Sequence, residues 1–325
     1  MGQAQQPPLT IWAVSDGRAG IEAQAEGLAL AVARLRPAEV SVKRIAWKPP
    51  FGRLPWRLIP PRLALEAASG MAPPWPDIWI AAGRATLPLS TRIRRWSDGR
   101  TFVVQTQDPR TDLKPFDLVI PPAHDGLEGP NVFPILGAPN RLTPERLAAE
   151  LARFESRVEA LPRPRIALIV GGTSKAFDLP PARAAQMGAE IARAVAASGG
   201  SLLTSFTRRT PEPARRILTK SLSALPGWIW DGTGDNPYFA FLAAADAILV
   251  TEESTNLATD AAATGKPVHV LAMTGGSAKF ARFHADLAAR RITRPFTGAL
   301  ETGSYPPLDE TNRAARELLW RFSTR

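Results

Sequence analysis

Ser254 and Thr255 follow the short apolar run Ala247-Ile248-Leu249-Val250 and the polar residues Thr251-Glu252-Glu253. They open a helix-like stretch with Asp260 six positions beyond Ser254 and Gly265-Lys266-Pro267 at its end. Serine and threonine are good helix caps, and a new helix leaves free N–H groups and the positive end of a dipole at its start. A diphosphate suits that place. Asp260, further along the same helix, is positioned to accept hydrogen bonds from ribose hydroxyls without facing the phosphates. Glu253 and Asn256 are candidates to touch a base, ribose or sugar hydroxyl, and equally to serve as capping residues. An ordinary capped helix would carry the same residues, so this segment alone leaves both readings open.

Gly171-Gly172-Thr173-Ser174 follows another strongly apolar run, 166–170, and its two glycines allow backbone to approach a phosphate closely, with Lys175 adding charge. The spacing matches neither the Walker loop nor the dinucleotide fingerprint. Both turns are expected at the same edge of one sheet, so Gly171, Gly172, Thr173, Ser174, Lys175, Glu253, Ser254, Thr255, Asn256 and Asp260 form the expected donor site. In the first half, Ser15-Asp16-Gly17-Arg18-Ala19-Gly20 occupies the first strand-to-helix turn. Asp16 is the candidate general base for an acceptor hydroxyl, with Glu22 the alternative, provided the surroundings raise its pKa toward neutrality. Gly17, Arg18, Gly20, Arg84 and Gln107 are candidates to hold the acceptor or an anion. A plain Asp-Gly turn with solvated arginines is the structural alternative.

Apolar runs alternate with helix-like stretches along the whole chain. Strands are expected over 9–14, 40–45, 77–84, 101–105 and 117–121, with a helix over 24–35. Thr143 and Pro144 start a helix expected to run to about 160, and Leu161-Pro162-Arg163-Pro164-Arg165 reads as a linker. The alternation restarts with strands from 166, 201, 227, 247 and 268 and a helix over 181–197, and it ends in a helix over 309–322. Such alternation implies parallel sheets covered by helices, with function at the carboxyl ends of the strands. The expected domains are 1–160 and 161–325, the last helix packing back on the first.

The chain has 325 residues, 45% hydrophobic and 22% charged, so two soluble globular domains are expected and disorder is not. No apolar run reaches the roughly 20 residues that a membrane-spanning helix needs. The opening residues lack a secretory pattern, and a cytoplasmic location is expected. With no cysteine, and three histidines out of ligand spacing, no metal centre is expected.

The net charge is +10, and between Glu39 and Glu66 stand Lys43, Arg44, Lys48, Arg53, Arg57 and Arg62 without an acid. Trp47, Phe51, Leu54, Trp56, Leu58 and Ile59 are interleaved with them. This segment suits an anionic membrane surface, met through a loop or short turns because of its prolines. Packing of its tryptophans on the domain's own core is the other reading. No nucleic-acid partner is expected.

The second-half pattern, Gly-Gly-Thr-Ser after a strand and Ala-Asp leading into Ser-Thr, an acid and Gly-Lys-Pro, is similar to that of the GT-B N-acetylglucosaminyltransferases of peptidoglycan precursors. Over its full length, from Trp12-Ala13-Val14-Ser15-Asp16-Gly17-Arg18-Ala19-Gly20 through Gly171-Gly172 to Thr251-Glu252-Glu253-Ser254-Thr255-Asn256, the chain resembles the mitochondrial fission ELM family. The resemblance implies an α/β, GT-B-like fold of two Rossmann-like parallel-sheet domains facing a cleft. It implies a nucleotide diphosphate sugar as donor on the second domain and a lipid-linked or cell-envelope acceptor on the first. It also implies ribose binding by Asp260, where the transferases usually have glutamate. No separate cofactor or metal is implied. The histidine that those transferases carry in their first glycine-rich loop has no counterpart here. The plant members recruit dynamin-related proteins, which implies a non-catalytic alternative, and bacterial relatives carry an epimerase label.

Overall fold

The computed structural model describes residues 7–301 and 303–325. The first residues, read above as lacking a secretory signal, lie mostly outside them. The chain divides into two compact units, one running to Arg141 and taking in Asp309–Arg325, the other Leu142–Leu308.

The first unit is built on β1 (Leu9–Ser15), β2 (Ala38–Arg44), β3 (Ile78–Ala81), β4 (Phe102–Gln105) and β5 (Leu118–Val119). All pair in parallel in the order β2-β1-β3-β4-β5. Among the helices that accompany them are α1 (Ala19–Leu35), the short α2 (Pro61–Ala64) and α3 (Leu87–Trp96). Strands β3 and β4 are buried along their whole length, which is why they read as unbroken apolar runs. The C-terminal helix Glu310–Ser323 lays Ala314, Ala315 and Leu318 against Ala25, Leu28, Ala29 and Val32 of α1. Its first turn is fixed by Glu310, whose Oε2 accepts the Leu136 N–H at 2.8 Å.

The second unit carries α4 (Pro144–Ala152), α5 (Glu155–Glu159), β6 (Arg165–Val170), β7 (Phe177–Asp178), α6 (Pro181–Ser198), β8 (Ser201–Phe206), α7 (Glu212–Leu222) and β9 (Gly227–Ile229). They are followed by α8 (Tyr238–Ala244), β10 (Ala247–Thr251), α9 (Thr255–Ala262), β11 (Val268–Leu271), β12 (Thr274–Gly275), α10 (Ala278–Ala289) and β13 (Thr293–Pro295). Six strands pair in parallel as β13-β11-β10-β6-β8-β9. The order is that of a doubly wound sheet, reversing direction between β6 and β10. In the first unit the same reversal falls between β1 and β3. In doubly wound sheets ligands bind outside the carboxyl ends of the strands at such a reversal, so each unit has one topologically favoured place for a ligand.

Two expectations need correction. The unit boundary lies at Arg141/Leu142, not at 160/161, because the helix assigned to the first domain buries its apolar side on the second. Leu142, Leu147, Leu151 and Phe154 pack against the cluster of Trp228, Phe241 and Ile248. The proline-rich stretch 161–165 is a bend within that unit, with Arg165 opening β6. The single helix expected from Thr143 to about 160 is two. Thr143 caps the first, its hydroxyl accepting the Arg146 N–H at 3.1 Å. The break falls at Phe154, whose φ of −125° is not helical and whose ring lies 5.5 Å from that of Trp228.

Candidate functional site

The sheet reversal of the second unit brings together the loops after β6 and β10. Ser254 caps α9 as its type predicts, its hydroxyl accepting the Leu257 N–H at 3.4 Å. Thr255 and Asn256 form the first helical turn and are half-buried. Asp260 lies on the second turn, where its Oδ2 accepts the Tyr238 hydroxyl at 2.8 Å. The tyrosine, contributed by α8, turns the carboxylate into part of a polar pair on the helix surface.

The glycine turn is built differently from its expected role. Gly171 N–H donates to Thr251 Oγ1 at 2.8 Å, Gly172 N–H to Glu253 Oε1 at 2.9 Å, Thr173 N–H to the Arg209 carbonyl at 3.2 Å, and Ser174 N–H to the Phe177 carbonyl at 2.9 Å. All four amides are thus satisfied within the protein. The Glu253 side chain is wholly buried and Arg209 reaches it at 3.0 Å. A Cβ on Gly171 would lie 1.7 Å from Glu253 Oε1, and one on Gly172 would lie 1.9 Å from the Arg209 carbonyl oxygen. Glycine is required here because a carboxyl group and the 207–210 loop press against the turn. Burial pushes the Glu253 carboxyl up from its ordinary range, opposed by the Thr251 hydroxyl, the Gly172 N–H and the Arg209 charge. Thr173 and Lys175 are exposed, and the Thr173 hydroxyl donates to Asp178 Oδ1 at 2.8 Å.

A second glycine pair joins this edge. β12 pairs antiparallel with β7, setting Thr274 opposite Asp178 and Gly275 opposite Phe177, and Gly276 N–H donates to the Ala176 carbonyl at 2.7 Å. Ser277 then caps α10, its hydroxyl accepting the Phe280 N–H at 3.3 Å. Thr274-Gly275-Gly276-Ser277 is not among the residues expected from the sequence, although it carries the same signal as 171–174: glycines and serine ahead of a helix.

Lys266 of the Gly-Lys-Pro motif turns away from this edge. Its Nζ donates to the carbonyls of Leu242, at 2.7 Å, and Ala243 at the end of α8. Burial lowers its pKa from 10.5 to about 8. The unfolded chain therefore holds this proton more tightly than the fold. The lysine's contribution to stability is present above pH 10.5 and is lost as pH falls through about 8. Denaturant melts of Lys266→Met should show a smaller gain from the lower to the higher end of that window than the parent. A difference between the two proteins that stays constant with pH would remove this account.

In the first unit, the loops after β1 and β3 flank the reversal. Asp16 Oδ2 accepts Arg18 Nε at 2.8 Å and its Oδ1 the Arg18 N–H at 3.2 Å, so the Asp-Gly turn holds its own arginine. Glu22 accepts Arg44 Nε at 2.6 Å and Nη2 at 2.8 Å. These bonds, with the Arg44 charge, hold the Glu22 carboxyl below its ordinary range despite partial burial. The condition set for Glu22 as a base, a raised pKa, is therefore not met. Gly83 meets the first loop, since a Cβ there would lie 3.0 Å from Ile21 Cγ2 and 3.9 Å from Arg18 Nη2. Arg84 is exposed beside it, Gly20 is exposed at the start of α1, and Gln107 Nε2 donates to Gln24 Oε1 at 3.0 Å.

The basic segment divides by residue type. Trp47 and Trp56 pack on the core of the first unit, Trp47 Nε1 donating to the Ala85 carbonyl at 3.1 Å. Leu54, Leu58 and Leu63 stay out, with 40%, 65% and 64% of their surface exposed. The tryptophans thus pack, partly buried, on the domain's own core, as the second reading expects, while these three leucines stay at the surface. Among the described residues no helix is long and apolar enough to cross a membrane.

Comparison with known proteins supplies the family. The Mitochondrial fission ELM1 family matches residues 19–322. Mitochondrial fission protein ELM1 of Arabidopsis thaliana is 32% identical over 284 residues, 77% of this chain and 65% of that protein, so the chain spans about two thirds of this relative's length. Among solved structures, UDP-GlcNAc 2-epimerase from Neisseria meningitidis, bound to UDP-GlcNAc, superposes with a TM-score of 0.57 at 12% identity, covering 98% of this chain and 99% of the other. The spinosyn forosaminyltransferase SpnP superposes at 0.51 and 13% identity, covering 98% and 91%. These likenesses show the α/β fold with parallel sheets shared by GT-B glycosyltransferases and epimerases. On the match of the family to nearly its whole length, the chain belongs to the mitochondrial fission ELM1 family.

Proposed function

We propose that the second unit binds a nucleotide diphosphate sugar along α9, and that the protein transfers the sugar to a lipid-linked or cell-envelope acceptor at the cytoplasmic face of a bacterial membrane. The observation that carries this reading is the Ser254-capped helix at the sheet reversal, with Asp260 paired to Tyr238 one turn further on. Ser254, Thr255 and Asn256 meet the diphosphate with the helix dipole behind them, and Asp260 takes the ribose. Exposed Thr173 and Lys175 add polar contacts, while Gly171, Gly172 and Glu253 shape the turn from behind. Nucleotide sugars are the ligands of structural neighbours such as the epimerase bound to UDP-GlcNAc, which supports this partner. In the first unit Asp16 serves as base and Gly17, Arg18, Gly20, Arg84 and Gln107 receive the acceptor. The exposed leucines and cations of the basic segment rest on the anionic membrane surface.

The arginine pairing of both candidate acids favours a second reading, binding without turnover, in which the liganded protein recruits partners at a surface. Free nucleoside diphosphate released only when an acceptor lipid is supplied supports transfer. Sugar interconversion without acceptor would replace it by epimerisation. Binding with neither reaction would replace it by recruitment.

A further inference from the structure

We infer that two adjoining hollows on the first unit, between the 56–62 segment and α3, form a receptor for the phosphate headgroups of anionic lipids. The inference rests on the proposed membrane contact and assigns it a site. One hollow, of about 580 Å³, is lined by Pro60, Pro61, Arg62, Arg92, Arg95, Trp96 and Asp98. The other, of about 340 Å³, is lined by Trp56, Arg57, Thr91, Arg92 and Arg95. Arg92 and Arg95, one turn apart on α3, face both. No stretch of sequence puts these four arginines side by side, and the basic run between Glu39 and Glu66 contains only two of them.

Their state points to an anion. Among the described residues none of Arg57, Arg62, Arg92 and Arg95 is ion-paired, whereas the other arginines of α3 and its end, Arg94 and Arg100, meet Asp117 and Asp98. Among the described residues the only acid lining the hollows is Asp98, which is highly exposed. The tryptophans hold two of the cations in place: the Arg57 guanidinium lies 5.0 Å from the Trp56 ring centre and that of Arg62 lies 5.4 Å from the Trp96 ring centre. Trp96 in turn stacks on Trp75 at 6.0 Å. Guanidinium groups fixed on rings and lacking carboxylates suit phosphate oxygens.

The neighbouring surface chooses a bilayer over other polyanions. Among the described residues, Leu54, Leu58 and Leu63 are half of the large hydrophobic residues that stand exposed; Leu58 lies within the 56–62 segment that walls the hollows and the other two beside its ends. Leucine side chains add nothing to a nucleic-acid backbone, but they gain free energy on entering the acyl boundary while the arginines meet headgroups. Charge and apolar surface thus belong to one face.

Flotation of the full chain with phosphatidylcholine vesicles, with and without phosphatidylglycerol, tests the site. Arg92→Gln with Arg95→Gln should weaken binding to the anionic vesicles about thirtyfold, two charges at about 1 kcal/mol each. Arg193→Gln with Arg290→Gln, on helical surfaces of the second unit, removes the same charge and should weaken it far less. Arg57→Gln with Arg62→Gln should repeat the first result, and Leu58→Ser with Leu63→Ser should lower binding at unchanged charge. Equal losses for the two unit-specific arginine pairs would overturn the headgroup site while leaving membrane contact standing. No binding of the parent to anionic vesicles would overturn both. Duplex DNA bound more tightly than the vesicles, with the leucine variant unimpaired on vesicles, would reassign the hollows to nucleic acid.

Discussion

Gly172→Ala should destabilise the second unit by about 3 kcal/mol or more, the upper end of what overpacking a tight interior costs. The added methyl would lie 1.9 Å from the Arg209 carbonyl oxygen, 2.1 Å from its carbon and 2.5 Å from the Thr210 nitrogen, all of them backbone. That backbone cannot swing aside. Thr207 N–H is bound to the Val170 carbonyl at 2.9 Å, and the Thr210 hydroxyl donates to the carbonyls of Val170 and Gly171. Gly171→Ala meets the same difficulty from a side chain, and the difference is informative. Its clash is with the Glu253 carboxylate, so Glu253→Ala should relieve it, although Glu253→Ala alone costs about 1–3 kcal/mol by leaving the Gly172 amide and Arg209 without their acceptor. The double variant should be more stable than the sum of the single changes, while Gly172→Ala gains nothing from Glu253→Ala. Urea melts of the five proteins, with the parent, read this directly. If the glycines instead served phosphate approach alone, both alanine variants would melt with the parent and differ only in ligand affinity.

Asp260→Ala should lower the affinity for nucleoside diphosphates by about tenfold to a hundredfold, the loss of a charge-assisted hydrogen bond to ribose at about 1.5–3 kcal/mol. Stability should change less than affinity, because the aspartate is half-buried and water can replace the Tyr238 hydroxyl that it accepts. Tyr238→Phe should weaken binding less, since it leaves the carboxylate in place and removes only the hydroxyl that orients it. Equal affinities for parent and Asp260→Ala, measured by calorimetry with the same nucleotide, would take Asp260 out of the site.

Much of this arrangement was legible in the chain because the signals are local. The apolar runs of β6 and β10 stop at polar residues within a few positions, and the caps Thr143 and Ser254 hydrogen-bond as their residue types favour. What escaped depends on neighbours far apart in sequence. Glu253 reads as a polar edge residue, since carboxylates are seldom fully buried. Its burial follows from Arg209, 44 positions away, and from two glycines some 80 positions away. The glycine pair reads as a phosphate turn because a close approach by backbone and one by ligand demand the same residue. Glu22 looked like a free acid because its partner Arg44 comes from the next strand, 22 residues on. The boundary was displaced for a similar reason: two prolines in 161–165 signal a break, but only the packing of Leu147 and Leu151 tells which unit owns the helix before it.

Calorimetric titration of the full chain with uridine, guanosine and cytidine diphosphates tests the donor site most directly. The α9 site predicts saturable binding of at least one of them, lost or strongly weakened in Asp260→Ala and retained in the fraction of Gly171→Ala/Glu253→Ala that folds. Absence of binding by all three to the parent protein would contradict it.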